Sequence, residues 1–379
     1  MKHKVSIGMV GVGQFGTGFI QPFRDHPDVE RIALCDIKAD RLADRAKEFG
    51  ITETYDSLDE ICKSDIDALV IITQPWLHAP QAIHAMEAGK HVYSAVPIIK
   101  SHDGDVILDW CDKLVNANAR TGQIYMMGET SYYRPEVVYC RKRYRAGDFG
   151  EAVYIEADYL HDTWSPACNL IDVAMSRTGK TEAEVLKSGG GVPFHYPTHS
   201  ASVPISITGA HMTEVAAFGY VYPNDEFWRA DSDFGNLFSN EVALYRMSNG
   251  ATARLCEFRR VGYTEREGII QFLGTDASFA RETEGSRFVD KETAEIVDVD
   301  AFRDQLPEAL AADLGGHGGS HSYLVNEFVD ACANDRMPTV SAWEAARYVA
   351  AGVMAHKSAL KGGELLKVPD WGNAPERLP

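Results

Sequence analysis

The stretch Gly11-Val12-Gly13-Gln14-Phe15-Gly16 decides the fold of this chain through what stands on either side of it. Before it, Val5-Ser6-Ile7-Gly8-Met9-Val10 is a short apolar run of the kind that forms a buried strand. After it, residues 17–26 have helical periodicity and stop before Pro27. Strand, G-x-G-x-x-G turn and helix in that order make a dinucleotide-binding fingerprint. The first glycine makes the tight turn, the second lets the backbone approach a pyrophosphate, and the third lets helix and strand pack closely. The helix N-terminus then faces the phosphates.

Asp36 lies about twenty residues further on, at the end of a second strand over 31–36. A carboxylate there accepts hydrogen bonds from both ribose hydroxyls and repels a 2′-phosphate. The expected cofactor is therefore NAD rather than NADP, and Arg41, a turn later, does not replace Asp36.

The alternation continues outward. Residues 38–49 read as a helix ending at Gly50, 68–73 as a strand, 80–88 as a helix stopping at Gly89, and 91–94 as another strand. Strands alternating with helices of this length mean βαβ units and a parallel sheet. After about Gly122 the texture changes. Residues 152–159, 241–247, 252–258 and 268–273 alternate apolar and polar, and Asn249-Gly250 is a turn signal. Helices are expected at 135–146, 322–333 and 342–358. The fold class is thus α/β: a doubly wound Rossmann domain over 1–122, then an α+β domain over 123–379 with an open, mainly antiparallel sheet and C-terminal helices packing back on the first domain. The polar segment 163–188 reads as a lid or an oligomer arm.

A length of 379 residues fits two or three domains, and 45% hydrophobic with 24% charged residues is ordinary globular usage. With 37 basic and 55 acidic residues the net charge is −18, which argues against nucleic-acid or anionic-membrane partners. Seven scattered cysteines, never spaced C-x-x-C, fit a reducing compartment and no structural zinc. No apolar run reaches the ~18 residues of a membrane span. With no secretory leader read at the N-terminus, the expected location is cytoplasmic.

Thr73, Gln74 and Pro75 end the third major strand, where residues line the cofactor crevice. His78 is either a cofactor contact or a helix start. With the glycine fingerprint, Thr73–His78, and Gly89-Lys90-His91-Val92 leading to a proline, the chain resembles the glucose–fructose oxidoreductase/inositol dehydrogenase (Gfo/Idh/MocA) family over nearly its whole length. The resemblance implies an NAD(P)-dependent enzyme acting on sugars or polyols, with Ala95 and Pro97 also lining the cofactor. The family usually carries Glu-Lys-Pro and a helical Asp-x-x-x-His pair. Here the tripeptide is Ala95-Val96-Pro97, Lys100 is expected to face elsewhere, and the helical pair is His195 and His199.

Four elements in order are similar to the NAD-dependent glycoside hydrolases of the α-N-acetylgalactosaminidase branch: Glu129, Tyr159-Leu160-His161-Asp162, Tyr196-Pro197-Thr198-His199 and His317-Gly318-Gly319. That branch also has Val-Pro in place of the lysine; Ser200 departs from its usual glycine. The resemblance implies transient oxidation at C3 of a sugar, loss of the C2 proton, departure of the C1 substituent, water addition and re-reduction. Such a route needs bases poised near neutrality. His199 is assigned to the C3 hydroxyl. Tyr159 is assigned to the C2 proton, with His161 or Glu129 tuning it; Glu129 alternatively orients hydroxyls or acts as acid. His195 and Tyr196, on the same helix turn, are expected to line the sugar pocket, with Arg259, Tyr263 and His317 as further contacts.

Arg259 and Arg260 are expected either to grip an anionic sugar, such as a sulfo- or uronyl-glycoside, or to form a solvated edge. Tyr220, Tyr222, Phe227 and Trp228 are expected either as a sugar-stacking patch or at an interface; the resemblance favours the interface, because it implies an open sheet that joins subunits into homodimers or homotetramers. No metal is expected: the His195/His199 spacing lacks the glutamate and third ligand of a zinc site. The alternatives are an NAD-dependent sugar or polyol dehydrogenase and a non-catalytic NAD-binding regulator.

Overall fold

Val5–Val10 forms β1, in which every residue is buried, and Val5, Ile7 and Met9 have no exposed surface. Burying each such side chain contributes about 1.5–3 kcal/mol. The computed structural model describes residues 3–165, 169–262 and 268–376. β1 is followed by α1 (Gln14–Asp25), β2 (Val29–Cys35), α2 (Ala39–Phe49), β3 (Thr54–Tyr55), α3 (Leu58–Lys63), β4 (Ala68–Ile71), α4 (His78–Glu87), β5 (His91–Ser94), α5 (Gly104–Thr121) and β6 (Tyr125–Met127). α2 and α5 end on Gly50 and Gly122, both left-handed caps that favour glycine.

The six strands pair in parallel in the order β3-β2-β1-β4-β5-β6. Strand order reverses between β1 and β4, and the crevice beyond the carboxyl ends of those strands is where such sheets bind ligands. The sheet includes β6, so it runs past the boundary expected at 122.

A 3-10 turn over Thr130–Tyr133 leads into α6 (Pro135–Arg145) and β7 (Ala152–Leu160). Segment 163–188 contains α7 (Leu170–Thr178) and α8 (Glu182–Ser188). Next come a 3-10 turn at Pro193–His195, α9 (Thr198–Thr208), β8 (Met212–Tyr220), β9 (Asn240–Met247), β10 (Thr252–Phe258), β11 (Ile270–Gly274), β12 (Ala277–Glu282), β13 (Gly285–Asp290) and β14 (Ala294–Val297). The chain closes with α10 (Glu308–Ala311), α11 (Gly316–Ala333), α12 (Ala342–Leu360) and β15 (Leu366–Lys367).

The second sheet has the order β14-β13-β12-β11-β7-β10-β9-β8-β15. It is antiparallel apart from the central β7–β10 pair, which is parallel because the α7–α9 crossover separates the two strands. One face is covered by helices. The other leaves Val153, Phe218, Tyr220 and Leu244 exposed.

α12 is apolar nearly all round and packs between β8 and α5, tying the two sheets together. Its Gly352 has a packing role: a methyl there would stand 2.1 Å from the Phe194 carbonyl oxygen. α12 therefore presses directly on the segment that enters α9.

The aromatic cluster expected at an interface is divided. Phe227 and Trp228 are buried with Ile171 and Val185 in a small core separate from the main one, while Tyr220 and Tyr222 stay exposed. The arm is thus held by its own hydrophobic contacts. The described cysteines are all free; Cys168 lies outside the described residues. No helix among the described residues is long and apolar enough to cross a membrane.

Candidate active site

The glycine loop fits a dinucleotide. Gly11 has φ of +90°, and a methyl there would lie 2.5 Å from the Ile72 carbonyl oxygen. A methyl on Gly16 would meet the Gly11 carbonyl oxygen at 2.1 Å. Gly13 caps α1 without a side-chain acceptor, so the first-turn N–H groups, including those of Gln14 and Phe15, are left for an anion. At the end of β2, Asp36 Oδ2 accepts from the Val12 N–H at 3.1 Å and from Arg41 at 3.3 Å, and Oδ1 accepts from the Lys38 N–H at 2.9 Å. A carboxylate fixed this way keeps an acceptor site on Oδ1 for a ribose hydroxyl.

Thr73 bonds Gln81, and the Pro75 carbonyl accepts from the Lys100 N–H at 3.0 Å; Gln74 is half-buried between them. His78 starts α4, fully inside. Its Nδ1 lies 2.9 Å from the Pro97 carbonyl and its Nε2 3.2 Å from the Thr73 carbonyl. The ring therefore staples the loop carrying the buried Ala95 and Pro97 to the end of β4, which is a positioning role. Burial, opposed by those carbonyls, keeps its pKa below the usual histidine value.

Glu129 follows β6 and is wholly buried. Its Oε1 accepts from the Ser131 N–H at 2.7 Å and lies 2.8 Å from His199 Nδ1. Burial alone would raise this carboxyl, but the His199 imidazole beside it holds it below the ordinary carboxylate range. His199 comes from the first turn of α9, and Nδ1 is engaged by Glu129, so the second ring nitrogen is the one left to act as a base. Glu129 is thus brought to His199 and not to Tyr159.

Tyr159, on β7, has its hydroxyl 2.9 Å from His161 Nδ1. Its ring centroid is 4.7 Å from that of His199, and the Tyr196 ring is 5.4 Å from His199 on another side. His317 stacks on His199 at 6.3 Å and meets Phe15 of the glycine loop edge-on at 6.3 Å, so it spans from the glycine loop to the His199 cluster. It sits in a left-handed run, with φ of 54° at His317 followed by Gly318 and Gly319. A non-glycine residue in that region is uncommon and is held here by its His321 contact at 2.9 Å.

Four expectations need correction or removal. His195 does not share a helix with His199: α9 begins at Thr198, after Pro197, and His195 lies in the preceding 3-10 turn. There its Nδ1 bonds the Ser101 carbonyl at 3.0 Å, and burial beside His356 pushes it down to about 3. Arg259 is no free grip, because it pairs with Glu257 at 2.7 Å and its guanidinium stands 5.0 Å over the Tyr159 ring. Arg260 pairs with Asp225 at 3.4 Å. Tyr263 lies outside the described residues.

One residue escaped the sequence reading. Glu257 is fully buried on β10, bonded to Ser200 and Arg259, and burial pushes it up to about 7 against the pull of Arg259. Its signal was a glutamate in a run of inward residues with an arginine two positions on. Lys100, expected to face elsewhere, is exposed, and a methyl at Gly191 would lie 3.8 Å from its Cε. No group of three metal-ligating side chains occurs among the described residues.

Comparison with known proteins places these features. Residues 5–129 match the family model described as oxidoreductase family, NAD-binding Rossmann fold. That stretch is similar to the NAD-binding Rossmann domain of the Gfo/Idh/MocA oxidoreductases, and NAD is its cofactor. A glycosyl hydrolase family 109 protein of Solibacter usitatus is 25% identical over 97% of this chain and 88% of its own length. A second, from Shewanella pealeana, is 33% identical over 42% of this chain and 36% of its own length.

Among solved structures, an oxidoreductase domain protein from Kribbella flavida superposes with a TM-score of 0.77 at 20% identity, covering 97% of this chain and all of the other. A levoglucosan dehydrogenase, in complex with NADH and levoglucosan, superposes at 0.75 with 18% identity and the same coverage. The two-domain fold is thus shared across these proteins.

Proposed function

We propose that this protein is an NAD-dependent glycoside hydrolase. The observation that carries the reading is the meeting of two base pairs, Glu129–His199 and His161–Tyr159, with ring centroids of His199 and Tyr159 4.7 Å apart. One oxidation needs one base; elimination of a C1 substituent needs a second near the adjacent carbon. The similarity to glycosyl hydrolase family 109 proteins supports the same reading.

NAD, when bound, supplies a hydride acceptor at the sugar and returns the hydride at the end of the cycle. His199, oriented by Glu129, takes the proton of the C3 hydroxyl at its second ring nitrogen. The C3 carbonyl makes the C2 proton acidic, and Tyr159 takes it once its phenol proton has passed to His161. Arg259 holds positive charge against the ring on which negative charge then resides. A protonated His161 or His199 is the acid available to the departing C1 oxygen. His317, bridging Phe15 and His199, holds the two halves of the site in register. The absence of a lysine at Val96 fits a site that uses His199 as its first base.

The exposed apolar face of the second sheet supports assembly into a homodimer or homotetramer, and a cytoplasmic location fits the free thiols. The test is incubation with p-nitrophenyl glycosides, with and without added NAD, following aglycone release and the NADH absorbance together. Release without stoichiometric NADH supports the proposal. A keto-sugar formed one for one with NADH, with the glycosidic bond intact, makes the protein a sugar dehydrogenase instead.

A further inference from the structure

Glu257 and Tyr159 are register partners across the parallel β7–β10 pair, and Glu241 stands opposite Glu257 on β9. Registered neighbours leave a sheet on the same face, here the face against which α9 packs. A carboxylate is rarely wholly buried unless its charge is answered, and Glu257 has no exposed surface. Both of its oxygens are engaged. Oε1 accepts from the Ser200 hydroxyl, and Oε2 lies 2.7 Å from Arg259 Nη2. Glu241 turns instead to His356 at 2.7 Å and to the Phe194 N–H at 3.1 Å, so it serves the segment before α9.

The two contacts of Glu257 lead to the two base pairs. Ser200 follows His199 in the first turn of α9 and is itself wholly buried. Arg259 is buried too, with its guanidinium 5.0 Å over the Tyr159 ring. Its Nη1 donates to the Phe258 carbonyl at 3.0 Å and to the Tyr159 carbonyl at 3.4 Å. Its backbone is fixed as well: the N–H donates to the Ser239 carbonyl at 3.1 Å, and the carbonyl accepts from Thr163 Oγ1 at 2.7 Å. Among the described residues Glu257 is the one carboxylate paired with this arginine; its other side-chain partners are neutral carbonyls. A buried ion pair is a weak source of stability, because desolvation offsets the attraction. What it does fix is geometry, and here that geometry is a cation held against the ring of Tyr159.

We infer that Glu257 is a positioning residue for the second base: it pins the Arg259 guanidinium against the Tyr159 ring and, through Ser200, ties that cation to the helix turn that carries His199. The inference rests on the reading of Tyr159 as a base and adds what sets that base. A phenol gives up its proton more readily with a cation over its ring, and the gain falls off as the cation moves away. The route from Glu257 to Tyr159 is therefore the guanidinium. A carboxylate two residues before Arg259, and one strand across from Tyr159, keeps that distance short.

The test reads Tyr159 itself and needs no turnover, so the inference is scored even if the glycosidase reading fails. Tyrosinate absorbance of the NAD-saturated protein is followed against pH, and the trace of Y159F is subtracted to leave Tyr159. Glu257, pushed up to about 7 by burial, is ionised through the range in which a phenol titrates. R259M should move the Tyr159 midpoint up by about one pH unit, and E257Q should move it in the same direction. The double variant E257Q/R259M should move it no further than R259M alone, because Glu257 acts through Arg259. E257D keeps the charge but is one methylene shorter. It should fall between the parent and E257Q, and it carries the comparison if E257Q does not fold. A downward shift in E257Q would mean that Arg259 keeps its place without Glu257, and overturns the inference. So does an unmoved midpoint in E257Q, or a shift in the double variant equal to the sum of the single ones.

Discussion

His199 Nδ1 stands 2.8 Å from Oε1 of Glu129, and Glu129 has no exposed surface. A buried carboxylate fixed to one imidazole nitrogen decides which nitrogen faces the cleft. This contact joins the end of the last parallel strand to the first turn of α9, so the domain that binds the cofactor also orients the base supplied by the other domain.

E129Q should keep the shape of this contact and lose its charge. With the tautomer no longer enforced, kcat/KM for aglycone release should fall by about 10²–10⁴-fold, the range for disabling a positioned base. The pair also has an acid limb. Because the Glu129 carboxyl lies below its ordinary value in the folded chain, its stabilising contribution is fully present above the unfolded value of about 4.3 and is lost as pH falls through the folded value. Tm measured from pH 6 downward should therefore fall less steeply in E129Q than in the parent, after allowance for its lower starting point.

Y159F should separate the two proton transfers. Hydride transfer depends on His199 and should persist in a single turnover, whereas wash-in of deuterium at C2 from D₂O and release of the aglycone should fall by about 10²–10⁴-fold. Mass spectrometry of the released sugar reads the exchange. Retained C2 exchange in Y159F would assign that proton to a different base.

D36A should weaken the discrimination against NADP. Removing the carboxylate frees Arg41, now 3.3 Å from Asp36 Oδ2, to meet a 2′-phosphate. NADP affinity should rise relative to NAD by about tenfold, the scale of one charge-assisted contact. Fluorescence titration with both reduced cofactors measures the ratio.

The Glu257 carboxyl predicts a slope of the opposite kind. Its folded value is pushed up to about 7 by burial, while the unfolded value is about 4.3. Between these values the folded chain holds a proton that the unfolded chain has lost, so stability falls as pH rises. E257Q should remove that slope between about pH 5 and pH 7, whatever its constant effect on Tm. Thermal melts at several pH values test it, and an unchanged slope would place the titration on another group.

The Rossmann half was legible because its signals are local. A strand, a glycine turn and Asp36 lie within one βαβ unit, and each glycine answers to a contact the fold makes. The second sheet was legible as a pattern of alternation but not in its pairing, since nothing in β7 or β10 announces that they run parallel. The candidate site residues could be named one by one, whereas their partnerships could not. Glu129 was read as tuning Tyr159 or acting on the sugar, and only the approach of α9 to the end of β6 brings it to His199. His195 was misplaced because i, i+4 spacing suggests a shared helix face, while Pro197 sets the helix start after it.

The arm formed by α7 and α8 has a consequence for how such a protein can diversify. Ile171, Val185, Phe227 and Trp228 make a core that the main body does not share, so substitutions along 169–188 are buffered from the Rossmann and sheet cores that set global stability. Selection can therefore rewrite this one segment while the Glu129–His199 and Tyr159–His161 pairs, held by other elements, continue unchanged.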